Sequence, residues 1–180
     1  MLKIVIPAGE FFNQDTSEFY YTKEQTLLLE HSLVSISKWE SKWKKPFIDQ
    51  FNEKTTEEII DYIRCMTITK GVDPLVYQNI PDEALNKILD YISDPMTATT
   101  FNDNSAPTRE IITSEIIYYW MVKLRIPFEC EKWHFRKLLA LIKVCALKNN
   151  AQENKMSQRQ IMESNHALNE MRKKELGTRG

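Results

Sequence analysis

The sequence predicts an α+β fold that is mainly α-helical, with a small antiparallel β portion at the N-terminus. Apolar residues recur at helical spacing over most of the chain from residue 32 onward. The first 31 residues instead carry alternating, β-branched and aromatic runs around a turn cluster. Apolar residues make up 42% of the 180 positions, which is enough to bury a core without disulfides.

The β portion is predicted to contain a strand, a hairpin and a second strand. Residues 2–7 predict the first strand, because they are rich in β-branched side chains and end in proline. The hairpin follows around the turn cluster 13–17, which has aromatic residues on both sides. The next stretch is ambiguous, but the alternation of Leu27 and Leu29 favours a strand.

Helix start signals predict the elements of the middle of the chain. Ser32 is the expected N-cap of a first helix, and Thr55 with Glu58 predicts a capping box for a second. Pro81 is expected to open a third helix. Residues 96–112 predict a β-hairpin, because a Thr-rich run precedes an Asn-rich turn.

Two long helices are predicted in the remaining part of the globular region. The first begins near Ser114 and is apolar on most faces, which predicts a central core helix. The second runs from about residue 129 to 147, and Asn149 and Asn150 are expected to end it. The sequence therefore predicts one globular domain over residues 1–150, β-rich over residues 1–31 and helical over 32–150.

Residues 151–180 are predicted to form a polar linker followed by a basic C-terminal helix and tail. The apolar stripe of this helix is thin, and it consists of Ile161, Leu168 and Met171. Arg172, Lys173 and Lys174 follow, where positive charge favours the C-terminal end of a helix dipole. Such a stripe cannot stabilise a helix alone. Two alternatives therefore stay open: the helix docks on its own domain, or it orders on a partner.

Charge and cysteine content restrict the class of protein. The formal net charge is −1, which by itself predicts neither a nucleic-acid nor a membrane partner. Residues 55–108 carry 3 basic and 9 acidic side chains, whereas residues 109–180 carry 14 and 8. This asymmetry favours attraction between parts of the chain over steering of a partner. Three widely separated cysteines and no signal or spanning segment predict a soluble protein of a reducing, cytoplasmic compartment.

The sequence predicts no enzyme, cofactor or metal site. Only four glycines are present, so neither type of glycine-rich nucleotide-binding loop can form. Cys130 and His134 are four residues apart, but no further pair at ligand spacing accompanies them. The three histidines have no flanking signature of a nucleophile and its base. A binding protein is therefore the expected class.

Trp39 and Trp43 are the most informative candidates for partner binding. They lie four residues apart on a predicted helix, among lysines at positions 38, 42, 44 and 45. The favoured interpretation is an amphipathic helix whose tryptophans anchor the core. Stacking on single-stranded nucleic acid is one alternative. A protein-binding hot spot is the other, because tryptophan is enriched in such sites.

Several stretches together resemble a group of tailed-bacteriophage proteins described as tail assembly chaperones. These stretches are residues 29–43, 61–66, 95–101 and 112–130, together with the basic tail at 172–174. The similarity spans most of the chain, and none of the stretches is a catalytic or ligand-binding motif.

The resemblance implies a mechanism and a set of partners. Tail assembly chaperones coat the tape measure protein, a long helical chain with exposed apolar residues, and keep it soluble until tail tube subunits displace them. It also implies residence in the host cytoplasm and absence from the mature virion. The expected partners are the tape measure protein and a tail tube protein, with self-association left open. The alternative is a nucleic-acid-binding phage protein that uses the lysine-rich segment around Trp39 and Trp43.

Overall fold

The computed structural model of the chain describes residues 1–13, 18–48, 53–101 and 111–176. It is 57% helical, with a small antiparallel sheet and a second hairpin. The predicted α+β, mainly α fold class is therefore confirmed. The chain divides into two compact units, Met1–Ala140 and Leu141–Gly180.

A long hairpin forms the N-terminal part of the first unit. Strand β1 (Leu2–Ile6) pairs with β4 (Gln25–Leu29), and β2 (Gly9–Asn13) pairs with β3 (Glu18–Thr22). Both ladders are antiparallel and keep one common register. The ladder is interrupted after β1 at Pro7, which has no backbone N–H to donate. The predicted strands and hairpin are confirmed, while residues 14–17 of the turn cluster lie outside the described residues.

One face of the β1–β4 ladder contributes to the core. Ile4, Ile6, Leu27 and Leu29 are buried, whereas Val5 between them is 50% exposed. The alternation expected of a half-buried strand is thus observed. The chain after the second helix extends this ladder, because the Ile68 backbone N–H donates to the Leu28 carbonyl at 2.8 Å.

Helices α1 (Leu33–Trp43) and α2 (Thr56–Met66) begin at the predicted caps. Ser32 caps α1 in a box with Ser35, and Thr55 caps α2 in a box with Glu58. Helix α1 ends at Lys44, whose left-handed backbone (φ 55°) turns the chain. The two helices pack against each other. Because each cap joins residues three positions apart, a local sequence pattern was enough to predict it.

Three helices and two 3-10 turns complete the described part of the fold. The 3-10 turn Pro74–Asn79 packs on α2, and α3 (Asp82–Ser93) packs on β1. Helix α4 (Ser114–Lys123) and the 3-10 turn Phe128–Lys132 both contact α1. Helix α5 (Phe135–Leu176) follows. The largest fully buried side chains come from strands and helices alike and include Leu27, Leu29, Leu33, Ile36, Trp39, Ile63, Met66, Ile88, Ile117, Met121 and Leu138.

Helix α5 differs from its prediction. It continues through Asn149 and Asn150, where a helix end was expected, and through residues 151–156, where a polar linker was expected. The physical reason is the absence of helix breakers, because residues 135–176 contain neither proline nor glycine. Two asparagines cost well under 1 kcal/mol each in a helix interior, and the surrounding Ala, Gln, Glu, Lys and Met are good helix formers.

The predicted hairpin at residues 96–112 is wrong over its first strand and over the described end of its second, because Ile111 and Ile112 are also irregular. Residues 96–101 are irregular, and Met96 has a positive φ of 49°. Local side-chain bonds replace the ladder there: Asp94 Oδ1 accepts the Met96 N–H at 2.7 Å, and Thr97 Oγ1 accepts the Thr99 N–H at 3.1 Å. Such bonds compete with strand pairing. Residues 102–110 lie outside the described residues.

Thr55→Ala is expected to lower the free energy of unfolding by about 1 kcal/mol. The reason is the loss of the side-chain oxygen that accepts the Glu58 backbone N–H at 3.3 Å. Urea denaturation followed by circular dichroism measures the change. The matched control is Thr56→Ala at the next, exposed position, which should stay within about 0.5 kcal/mol of the wild type. Equal losses in the two variants would contradict the cap.

Candidate functional site

Trp39 is a core residue. Its side chain is 1% exposed, and its indole N–H donates to the Glu58 carbonyl of α2 at 2.9 Å. The ring of Phe47 lies edge-on to it, with 5.2 Å between ring centroids. No face of this indole is therefore open to a base or to a partner side chain.

Trp43 lies on the same side of α1 but is half-buried. It stacks on Trp39 at 6.2 Å between centroids, and its indole N–H donates to Asp61 Oδ2 at 2.9 Å. Two of the neighbouring lysines are also engaged: Lys42 pairs with Asp61 at 2.5 Å, and Lys45 pairs with Glu58 at 2.6 Å. The tryptophan–lysine segment thus forms the contact between α1 and α2.

The buried carboxylates of α2 depend on this contact. Glu58 and Asp61 are 1% and 5% exposed, although both occupy helix positions that sequence alone would assign to solvent. The hydrogen bond from Lys45 lowers the pKa of Glu58, and the backbone N–H of Thr55 contributes to the same direction. Buried carboxylates require such partners. Sequence analysis missed them because each lysine is more than ten positions away.

Glu40 is a third buried carboxylate, and it connects α1 to α4. Its Oε1 accepts the Phe47 N–H and its Oε2 accepts the Ser114 N–H, both at 2.8 Å. Ser114 is the first residue of α4, so a side chain from another helix satisfies one of the N–H groups that a helix start leaves without an intrahelical partner. Negative charge at this end also favours the helix dipole.

Helix α4 is apolar on most sides, but it is not the fully buried central helix that was predicted. Ile117 and Met121 are buried, whereas Tyr119 and Val122 are each 60% exposed. Phe128 in the following 3-10 turn is 56% exposed, and its ring lies 6.4 Å from that of Tyr118. We call Tyr118, Tyr119, Val122 and Phe128 the α4 face. On the helix, Tyr118 and Tyr119 are four and three positions from Val122, so each adjoins it.

Tyr118 gives the α4 face a fixed polar group. Its hydroxyl donates to Glu131 at 2.9 Å. Burial and this carboxylate raise the pKa of Tyr118 to about 12, so the phenol stays neutral at physiological pH. The face therefore presents aromatic and aliphatic surface next to one neutral, already bonded hydroxyl.

The predicted partner-binding residues of the C-terminal helix all belong to α5. Met171 is 65% exposed and Arg172 is also exposed. The side chains of Ile161, Leu168, Lys173 and Lys174 lie outside the described part of the structure. Their role in partner binding stays a prediction.

A buried polar cluster joins four segments of the first unit: the β4–α1 junction, α2, α3 and the residue before α5. The histidine cluster consists of His31, Tyr62, Tyr91 and His134, and the two imidazole centroids are 5.1 Å apart. His31 Nδ1 lies 2.5 Å from the Tyr62 hydroxyl, and His134 Nε2 lies 2.9 Å from the Tyr91 carbonyl. No sequence signal indicated this cluster, because its two histidines are separated by most of the globular unit.

In the described part of the chain, no group of three or more His, Cys, Asp or Glu side chains could hold a metal ion. Cys130 belongs to a 3-10 turn that ends before α5 begins, so it does not share a helix with His134 as predicted. Across the same residues, no helix is both long enough and apolar enough to cross a bilayer.

Comparison with known proteins adds no relative. The chain matches no protein-family model, no curated protein and no solved structure.

Proposed function

We propose that the protein is a non-enzymatic binding protein of bacteriophage tail morphogenesis, a tail assembly chaperone that keeps the tape measure protein soluble before tail tube polymerisation. The proposal rests on the resemblance of several stretches to that group. It is supported by one structural observation, the exposed α4 face. In this scheme the protein acts in the host cytoplasm and is absent from the mature virion.

The α4 face has the chemistry that binding to an apolar helix requires. Tyr119 and Val122 are both 60% exposed and are spaced as neighbours along one helix side. An amphipathic partner helix buries its own stripe against such a surface. Exposed apolar patches on a folded protein commonly mark interaction sites. Tyrosine adds contact area at low entropic cost, because it has only two side-chain torsions.

The surroundings of the α4 face fit a contact that must be reversible. Glu115, Lys123 and Glu129 are exposed near it along the chain, so the surface carries charges of both signs. A surface with charges of both signs does not select a strongly charged partner. The affinity then comes from the apolar centre of the α4 face. Displacement by tail tube subunits requires a modest affinity of this kind.

The burial of Trp39 disfavours the nucleic-acid alternative. Stacking on a base needs an open aromatic face, and Trp39 is 1% exposed. Of the neighbouring lysines, Lys42 and Lys45 are paired with Asp61 and Glu58, whereas Lys38 and Lys44 are exposed. The experiment below distinguishes the two functions.

The test is co-expression of the chain with fragments of the tape measure protein from the same genome, followed by affinity capture. Capture is done at low and high salt, each with and without nuclease. The chaperone proposal predicts a soluble fragment that is retained at high salt, because apolar contacts are not weakened by salt. Retention of nucleic acid alone, at low salt and without nuclease, would replace it with the nucleic-acid function.

Val122→Lys is expected to weaken capture of the fragment about tenfold, since one lost apolar contact is worth about 1.5 kcal/mol. Lysine is compatible with the C-terminal end of α4, so the fold should be retained. The control is Val5→Lys, at a valine that is 50% exposed on the hairpin. Quantitative pull-down measures both variants. Equal capture by the two would exclude the α4 face as the contact.

A further inference from the structure

The start of α5 is fixed to the junction between β4 and α1. The Phe135 backbone N–H donates to the His31 carbonyl at 2.7 Å, and Ser32 and His134 form an isolated antiparallel bridge. Phe135 and Leu138 are buried in the first turn of the helix. The first turn is therefore held by backbone bonds next to two histidine rings.

The hydrogen bonds of His134 define which nitrogen carries its proton. Nε2 lies 2.9 Å from the Tyr91 carbonyl, and a carbonyl oxygen can only accept, so Nε2 carries the hydrogen. Nδ1 is then the unprotonated nitrogen of a neutral ring. This Nδ1 is buried and has no hydrogen-bond partner. A second proton would create a charged N–H that no acceptor in the described structure satisfies.

His31 is equally unsuited to carry charge. Its side chain is 2% exposed, and the rings of Phe47, Tyr62, Phe135 and His134 surround it. Burial lowers its pKa to about 3, and the nearby His134 and Arg136 act in the same direction. Burial also lowers the pKa of His134.

The charged groups that face the histidine cluster do not compensate for the burial of a protonated imidazole. The Glu30 carboxylate favours a charged His134, but it already accepts the Tyr91 hydroxyl at 2.6 Å and pairs with the Met1 ammonium at 3.0 Å. Asp94 acts in the same direction as Glu30, and the Met1 ammonium acts in the opposite one. Tyr62 and Tyr91 are neutral, because burial raises the pKa of each phenol.

The position of His134 at a helix start further disfavours its protonation. His134 immediately precedes α5, and Arg136 already carries a positive charge in its first turn. The N-terminal end of a helix disfavours cations. Two protonated imidazoles with centroids 5.1 Å apart would also repel each other.

We propose that His31 and His134 form an acid-sensitive latch, which holds the first turn of α5 on the β4–α1 junction at neutral pH and releases it on protonation. The inference does not depend on the proposed function.

The direction of the pH dependence follows from linkage. In the closed state the first turn of α5 is held at the junction, and in the open state it is released. Both imidazoles bind protons more weakly in the closed state than in the open state, whose histidines have a pKa of about 6.5. The contribution to closure is complete above that value and is lost as the pH falls through it toward the closed-state pKa, about 3 for His31. Carboxylates start to titrate at lower pH, so the range from 7.5 to 5.0 isolates the histidines.

The test is amide hydrogen exchange of the intact chain between pH 7.5 and 5.0, corrected for the intrinsic exchange rate. The Leu138 N–H, which donates to the His134 carbonyl, is the probe amide. If His31 alone is protonated, the protection factor of the Leu138 N–H should fall about thirtyfold over this range. The N–H groups of Ile59 and Leu85, in the first turns of α2 and α3, should keep their protection.

Three variants refine the test. His31→Asn keeps a polar atom at the position of Nδ1, and His134→Gln keeps a donor for the Tyr91 carbonyl, but neither side chain titrates. Each should reduce the pH dependence at Leu138, whereas the exposed control His166→Gln should leave it unchanged. The latch is refuted if Leu138, Ile59 and Leu85 lose protection together in the wild type, or if Leu138 shows no pH dependence. The wild-type comparison decides even where a variant fails to fold.

Discussion

Trp39→Ala is expected to lower the free energy of unfolding by about 4 kcal/mol. The substitution removes the largest of the fully buried side chains, leaves a cavity between α1 and α2, and deprives the Glu58 carbonyl of its indole donor. A domain of ordinary stability has only about 5–15 kcal/mol to lose. The variant should therefore unfold at a much lower urea concentration than the wild type.

Trp43→Ala is the matched comparison, because both tryptophans are on the same side of α1. Trp43 is half-buried, and its substitution removes the stacking on Trp39 and one hydrogen bond to Asp61, so the cost should be about 2 kcal/mol. Urea denaturation measures both variants. A Trp39→Ala protein of wild-type stability that fails to capture the tape measure fragment would overturn the core assignment and restore Trp39 as a partner-binding residue.

Glu40→Ala is expected to cost about 3 kcal/mol, because it leaves the Phe47 and Ser114 backbone N–H groups without their acceptor. Ser114 is fully buried, so water cannot replace the carboxylate there without disturbing the packing. The loss should be largest at the beginning of α4. Hydrogen exchange of the first turns of α4 is the most direct measurement, and thermal unfolding gives the total.

Glu40→Gln separates hydrogen bonding from charge. The amide has one oxygen acceptor in place of two, so Glu40→Gln should lower the free energy of unfolding by about half as much as Glu40→Ala. Glu57→Ala, at an exposed position of α2, is the control and should be nearly neutral. If Glu40→Ala behaves like Glu57→Ala, the carboxylate does not hold α4 in place.

The elements that sequence predicted correctly are those whose determinants lie within a few residues. Ser32 and Thr55 each bond to a group three positions along the chain, and the hairpin needs only alternation around a turn. The same reasoning failed for residues 96–101, where β-branched threonines favour a strand but side-chain bonds to the local backbone prevail. It also failed at Asn149, because helix propensity is too weak there to end α5.

The candidate site was only partly predictable for a related reason. The burial of Glu58 and Asp61 depends on lysines of another helix, and periodicity carries no information about such pairs. Apolar residues around α4 predicted complete burial, but only the tertiary structure shows which side is covered. The pairing of His31 with His134 spans most of the first unit and has no local signature.

The contacts between distant residues have a consequence for synthesis on the ribosome. Helix α1 completes its environment only when Ser114 reaches Glu40 and His134 reaches Ser32. About a hundred residues separate the last pair, so translation at about 5–20 residues per second leaves α1 incomplete for roughly 5–20 s. During that time Ser32 and Glu40 lack their final partners, and the side of α1 that α4 later contacts stays uncovered on the nascent chain.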